Sequence, residues 1–188
     1  MGMWFAGRRR FSFKIGEKAM SSTQFTCHGP FKIETTKLRA GKDISKANIQ
    51  NFWETNGEYS DKVGCYVFGM RAGKGVTPLY VGKATKRFKQ EVFAHHKLTK
   101  YLPALATYKS GTPVLFFVAY PKKNGLVNAT QIGKLEKFLI QQATVANPLL
   151  LNINHAKVPS WGIAGVLRST TKRPTNGAVA FKALLGIR

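Results

Sequence analysis

The sequence predicts one domain of the α/β (α+β) class, in which a small sheet is flanked by helices. Two short segments rich in apolar and glycine residues, Gly64–Met70 (GCYVFGM) and Leu79–Gly82 (LYVG), are typical of neighbouring strands. The nearly continuous apolar run Pro113–Tyr120 (PVLFFVAY) is typical of a buried central strand. Segments with helical spacing lie between and after these strands. The predicted order of the central part is β-β-α-(α)-β-α, and the first two strands form a hairpin with a long loop, RAGKGVTP.

A first helix is predicted over Thr85–Lys97, which contains neither glycine nor proline. Phe88 and Val92 are four residues apart, so they would share one face of this helix. The same spacing predicts a second stripe on the helix, formed by Arg87, Glu91 and His95.

A second, longer helix is predicted over Asn128–Ala146. Ile132, Leu135, Leu139 and Ile140 have the spacing of a stripe that faces a core. Asn128 or Thr130 would cap the start of this helix, and the Asn147-Pro148 pair would end it.

The rest of the chain divides into extensions of this central part. Residues 1–20 are predicted to be a basic N-terminal appendage outside the folded domain. Residues 21–61 form an N-terminal extension with a strand over Phe25–Ile33 and a helix-like segment around Ser45–Trp53. Residues 62–154 form the core. Residues 155–188 form a basic C-terminal element with a short helix from about Gly177 to Leu185, a candidate DNA contact.

The charge distribution favours a polyanionic partner. The 188 residues contain 30 Lys/Arg and 8 Asp/Glu, for a formal charge of +22. After Glu91 the only acidic residue is Glu136, which therefore stands out as a candidate metal ligand, with a surface ion pair to Lys134 or Lys137 as the alternative. No apolar run is long enough to span a membrane. Two cysteines predict neither a disulfide scaffold nor a metal cluster. We expect a cytoplasmic, DNA-associated protein that is not secreted and has no membrane partner.

Several of these residues occur in the order of a known signature. GCY at Gly64–Tyr66 and YVG at Tyr80–Gly82 resemble the two halves of the GIY-YIG nuclease signature. A basic helix with His95 follows, then LEKFLIQQ with Glu136, and then PLLLN with Asn152. The resemblance covers roughly residues 62–154. It implies a small three-stranded mixed sheet flanked by helices, and an endonuclease that hydrolyses phosphodiester bonds in DNA with a divalent metal.

The resemblance also implies roles for individual residues. Tyr66 and Tyr80 would share the positioning or deprotonation of the attacking water, and His95 would assist at the active site. Glu136 would hold Mg²⁺ or Mn²⁺, since a hard cation accepts one carboxylate together with waters and phosphate oxygens. Asn152 would close the site, and Gly82 would let the backbone approach closely.

One position departs from the family pattern. The family places an arginine on the helix after YIG, where this chain has Gln90, or Glu91 if one residue is inserted. Four alternatives follow. Arg87 replaces the arginine from a shifted position with Glu91 orienting it, Lys89 replaces it, Glu91 is a second metal ligand, or catalysis is lost.

Basic residues outside the signature are predicted to contact the phosphate backbone. In the core these are Lys83, Lys86 and Lys89, and in the C-terminal element they are Lys172 and Arg173. Arg8 to Arg10, Lys122 and Lys123 are further candidates. The expected partner is DNA, with RNA as the alternative. The alternative function is that of a basic nucleic-acid-binding protein that retains the fold without catalysis.

Overall fold

The computed structural model describes residues 23–38, 41–108, 110–121, 126–152, 162–166, 169 and 173–186. Six strands and five α-helices lie in these ranges, together with a 3₁₀ turn at Gly57–Tyr59. In chain order they are β1 (Thr26–Lys32), β2 (Thr36–Leu38), β3 (Gly41–Asp43), α1 (Lys46–Thr55), β4 (Gly64–Ala72), β5 (Gly75–Ala84), α2 (Phe88–Glu91), α3 (His95–Thr107), β6 (Thr112–Ala119), α4 (Ala129–Ala146) and α5 (Asn176–Leu184).

The main sheet has four strands in the order β1-β6-β4-β5, and each neighbouring pair is antiparallel. The prediction of a three-stranded mixed sheet is therefore wrong in strand number and direction, although the mixed α and β composition is confirmed. The fourth strand comes from the N-terminal extension, because β1 pairs with β6 from Thr26 opposite Ala119 to Lys32 opposite Val114. β2 and β3 form a separate two-stranded ribbon.

Strands β4 and β5 form the predicted hairpin, but its long loop is absent. Both strands continue through the glycine-rich segment, and only Gly73 and Lys74 remain between them. Gly73 has φ +56°, a backbone conformation that glycine adopts without steric cost. Tyr66 lies opposite Gly82, and Phe68 lies opposite Tyr80. The two halves of the signature are thus directly paired across the hairpin.

The predicted helix over Thr85–Lys97 is wrong, because the chain forms two helices there. Arg87 is extended (φ −150°, ψ 141°) and precedes α2, which ends at Glu91. The break has a tertiary cause. The N–H groups of Phe88 and Lys89 donate to the carbonyls of Lys62 and Ser60, which fixes the start of α2 against the preceding loop. The predicted stripe of Arg87, Glu91 and His95 therefore does not exist.

The other helices agree with prediction. In α4, Asn128 Oδ1 accepts a hydrogen bond from the N–H of Gln131 at 3.0 Å, so Asn128 is the cap. The helix ends at Asn147, before Pro148. The short C-terminal helix is present as α5. Within the described ranges, no helix has both the length and the apolar character that crossing a membrane requires.

Two hydrophobic clusters lie on opposite faces of the sheet, since successive side chains of a strand alternate between faces. The larger cluster contains Tyr66 and Tyr80, and α1 adds Phe52 and Trp53 to it. The smaller cluster joins Val81 of β5 to buried residues of α4. The N-terminal extension is therefore an integral part of the core, because it supplies both a strand and buried side chains.

Candidate functional site around strand β5

Four consecutive residues of β5, Tyr80 to Lys83, contact three other residues that the sequence predicts to be functional, namely Tyr66, Glu136 and Asn152. Tyr80 and Gly82 face the larger cluster and meet Lys97 and Tyr66. The backbone of Val81 binds Asn152, while Lys83 binds Glu136 on the α4 side of the sheet. These residues are therefore divided between the two faces of β5, and Tyr66, Tyr80, Arg87 and Glu136 do not converge in one cleft.

The two signature tyrosines are buried neighbours. Their ring centroids are 6.4 Å apart, and Tyr66 has no solvent-exposed surface. Gly82 makes room for Tyr66, because a Cβ at position 82 would lie 2.4 Å from both Cζ and Oη of Tyr66. The space beside the strand is thus filled by the tyrosine of the other motif half, and Gly82 is needed for packing.

The hydroxyl of Tyr66 is buried beside the hydroxyl of Tyr101, but it makes no hydrogen bond of good geometry among the described residues. Burial, reinforced by the neighbouring phenols of Tyr101 and Tyr80 and by the charge of Glu91, raises the pKa of Tyr66 far above its ordinary value. A phenol in this environment keeps its proton at neutral pH. The geometry therefore does not favour Tyr66 as the group that deprotonates water.

Tyr80 is bonded to a lysine that the sequence analysis missed. Nζ of Lys97 donates a hydrogen bond to Oη of Tyr80 at 3.0 Å. Nζ of Lys100 lies 5.1 Å from the centre of the same ring, within cation–π range. Lys97 and Lys100 are three residues apart in α3. The predicted helix ended at Lys97, so this shared face was not visible from the sequence.

Glu136 forms an ion pair with Lys83, and neither Lys134 nor Lys137 is its partner. Nζ of Lys83 lies 2.9 Å from Oε2 of Glu136, whose side chain is only 16 % exposed. The hydrogen bond from Lys83 to Glu136 raises the pKa of Lys83, and the phenol of Tyr80 adds to the effect. Lys83 and Tyr80 are therefore within electrostatic reach of each other although they point to different faces of β5.

The donor set at Glu136 suits a hard divalent cation bound by one carboxylate. Oε2 is occupied by Lys83, while Oε1 has no hydrogen-bond partner among the described residues. Mg²⁺ commonly retains several waters and needs only one or two carboxylates. No group of three or more His, Cys, Asp or Glu residues is found in the described part of the chain, so a site with several protein ligands is not present there.

Asn152 binds the backbone of the signature strand. Its Oδ1 accepts from the N–H of Val81 at 2.9 Å, and its Nδ2 donates to the carbonyl of Val81 at 2.8 Å. The backbone N–H of Leu151 donates to the carbonyl of Leu79, and Nδ2 of Asn147 donates to the carbonyl of Pro78. These bonds cover the open edge of β5. Asn152 is thus a positioning residue for the strand.

The predicted basic residues after YVG have no contact with the tyrosines. Arg87 pairs with Asp61 at 3.5 Å, and both side chains are largely exposed. Its place outside the helix and its pairing with Asp61 do not favour Arg87 as the substitute for the expected arginine. His95 is exposed at the first position of α3. Exposed positions are also occupied by Lys86, Lys89 and Arg173, whereas Lys172, Arg8 to Arg10, Lys122 and Lys123 lie outside the described residues.

Glu91 lies close to the buried phenols. Its negative charge contributes to the raised pKa of both Tyr66 and Tyr101. Tyr101 Oη donates to the carbonyl of Val92 at 3.0 Å, directly after Glu91 in the chain. The end of α2 is thus tied to the tyrosine cluster, while Glu136 lies with Lys83 on the other face of the sheet. This separation does not favour Glu91 and Glu136 as ligands of one metal ion.

The two cysteines are expected to react very differently with thiol reagents. Cys65 is buried, its Sγ contacts the carbonyl of Ile132 at 3.4 Å, and burial raises its pKa to about 12, whereas Cys27 is exposed. At pH 8 we expect one thiol to react with a chromogenic disulfide in the native protein and two in urea. A folded-state pKa above the unfolded value means that stability present below pH 9 is lost as pH rises towards 12. Native protein that exposes both thiols at pH 8 would contradict this assignment.

Comparison with known proteins adds no relative, since no family model, curated protein or solved structure matches the chain.

Proposed function

We propose that this protein is a divalent-metal-dependent endonuclease of the GIY-YIG type that hydrolyses phosphodiester bonds in DNA. The observation that carries the proposal is the pairing of the two motif halves across one hairpin. Tyr66 packs over Gly82 as its cross-strand neighbour, and Tyr80 lies beside both Tyr66 and Lys97. The order of strands and helices from β4 to α4 also agrees with the order that the signature implies.

In this proposal Tyr80 orients the attacking water. Its hydroxyl accepts a hydrogen bond from Lys97, so its own proton remains available for donation to another oxygen. Tyr66 supports Tyr80 through packing, because its own hydroxyl is buried and unpartnered among the described residues. The water adds to phosphorus as the bond to the leaving oxygen breaks, the proton lost by the water passes to solvent, and the leaving oxygen takes a proton from solvent.

Glu136 would hold the metal through a carboxylate oxygen, with Lys83 bonded to the other oxygen. Its place on the opposite face of β5 from Tyr80 counts against this assignment and favours the alternative without catalysis. When bound, such an ion neutralises charge on the phosphate and on the leaving oxygen. Lys83 is 45 % exposed, so its ammonium can turn from Glu136 to a phosphate of the substrate. The charge of +22 supports a nucleic-acid substrate, because a polyanion relieves the repulsion among 30 basic residues.

Incubation of supercoiled plasmid with the full chain tests this proposal. We expect nicked or linear DNA with Mg²⁺ or Mn²⁺ and none with EDTA. Glu136→Ala should lower the rate at least a hundredfold, since it removes the proposed metal ligand. Glu34→Ala is a matched control, because Glu34 also pairs with a lysine, Lys32, but both side chains are largely exposed. Equal cutting by the two variants would rule out Glu136 as the ligand.

The alternative proposal is a nucleic-acid-binding protein without catalysis. The ion pair between Lys83 and Glu136 favours it, since a lysine already neutralises the carboxylate that a metal would need. In that case the wild-type protein shifts DNA in a gel but leaves the plasmid intact with every divalent metal.

A further inference from the structure

Lys97 and Lys100 concentrate positive charge without a carboxylate to balance it. Among the described residues, the ion pairs of the protein engage Lys32, Lys83 and Arg87. Lys97 and Lys100 belong to none of them, although both are partly buried and lie on the same turn of α3. Like charges at this spacing destabilise a helix, so the proximity of the two lysines lowers the stability of α3.

The two ammonium groups are held at one aromatic ring. Nζ of Lys97 is 5.3 Å and Nζ of Lys100 is 5.1 Å from the ring centre of Tyr80. Tyr80 is itself fixed, because the flanking backbone at Leu79 and Val81 is bonded to Leu151 and Asn152. The ring also packs against Tyr101 of α3, with centroids 5.8 Å apart. Strand and helix therefore define the position of both charges.

We propose that Lys97 and Lys100 form a binding site for a phosphate group of the nucleic-acid backbone, at the hydroxyl of Tyr80. One ammonium group at the hydroxyl and a second over the ring of the same tyrosine offer the positive charge and the N–H donors that the oxygens of a phosphodiester accept. In the proposed nuclease, on which the identity of this phosphate rests, they supply the positive charge that the resemblance assigns to an arginine. Glu91, the acidic residue at the position of that arginine, is then compatible with phosphate binding because α3 carries the positive charges.

Salt-dependent DNA binding tests the site without requiring cleavage. Anisotropy of a labelled 20-base-pair duplex is measured in EDTA at several salt concentrations. The variant Lys97→Met/Lys100→Met keeps the apolar stems but removes both charges. The magnitude of the slope of log K against log salt should fall by about 0.9, since one phosphate contact is lost and each contributes about 0.9. The control is Lys74→Met, which removes an exposed lysine in the β4–β5 turn, about 20 Å along the strand from Tyr80.

The outcomes separate the phosphate site from the nuclease. A salt slope that falls in the double variant but not in Lys74→Met supports the phosphate site. If the wild type also never cuts plasmid, only the nuclease proposal is overturned. A double variant that melts like the wild type and keeps its slope overturns the site, even if the wild type cuts. Lys97→Arg, which keeps the positive charge at this position, should bind the duplex like the wild type. A wild-type protein that does not bind the duplex overturns both proposals.

Discussion

Replacing Gly82 with alanine is expected to destabilise the protein by about 2–3 kcal/mol, the usual cost of forcing extra atoms into a packed core. The new methyl carbon would lie 2.4 Å from Cζ and Oη of Tyr66, and this side chain is fully buried, so it must shift against packed neighbours. Urea denaturation followed by tryptophan fluorescence measures the loss. The control is Gly133→Ala in α4, where nothing lies within 4 Å of the new carbon and alanine should stabilise the helix by up to about 1 kcal/mol.

The same contact makes a second substitution informative. In Gly82→Ala/Tyr66→Leu the clash is removed, so the double variant should lose less stability than the two single variants added together. Additive losses would show that position 82 and Tyr66 do not compete for space.

Tyr66→Phe should leave stability equal or raise it by about 1 kcal/mol, because the hydroxyl that it removes is buried and unpartnered among the described residues. Cleavage by Tyr66→Phe should match that of the wild type, because the proposal gives the Tyr66 hydroxyl no part in the chemistry, and a loss of cleavage would contradict that role.

Replacing Phe117 with alanine is expected to cost about 3–5 kcal/mol of stability, as large truncations of buried aromatic residues usually do. Phe117 is fully buried at the centre of the larger cluster. Its ring stacks on Phe88 with centroids 4.6 Å apart, and on Trp53 and Tyr59 at 6.1 and 5.6 Å. It thereby joins the central strand to α1, the 3₁₀ turn and α2.

Phe116→Ala is the matched control for this substitution. It removes the same number of atoms from the next residue of the same strand, but Phe116 is only partly buried. Thermal unfolding followed by circular dichroism should place Phe117→Ala well below Phe116→Ala in melting temperature. Equal shifts in the two variants would show that the N-terminal extension does not depend on the aromatic cluster.

Residues with strong local signals were predicted correctly. The apolar run of β6, the glycine-bounded strand β4 and the amphipathic helix α4 each appear close to their expected bounds. The cap at Asn128 and the helix end at Asn147 also agree, because capping and proline effects act within a few residues. The short strand around Phe25 was recognised too. Its pairing with β6 was not predicted, since pairing depends on contacts between residues far apart in the chain.

The candidate site was predicted less completely, for a similar reason. Tyr66, Tyr80, Glu136 and Asn152 were found from motif order, and each contacts β5 or forms part of it. The hydrogen bond from Lys97 to Tyr80 was missed because the α2–α3 break is set by tertiary backbone bonds to Lys62 and Ser60. Arg87 was expected to share a helical stripe with Glu91, and that break removes the stripe.

The hydrogen bonds from Asn147 and Asn152 to β5 also set the shortest fragment in which this strand stays covered. Asn147 and Asn152 complete the hydrogen bonds of an outer strand that would otherwise be free to pair with another molecule. A chain that stops after α4 would keep every motif residue except Asn152, yet it would uncover the strand that carries Tyr80. Such a fragment would be prone to intermolecular β-pairing. A fragment in which this strand keeps its hydrogen-bond partners therefore extends at least through residue 152.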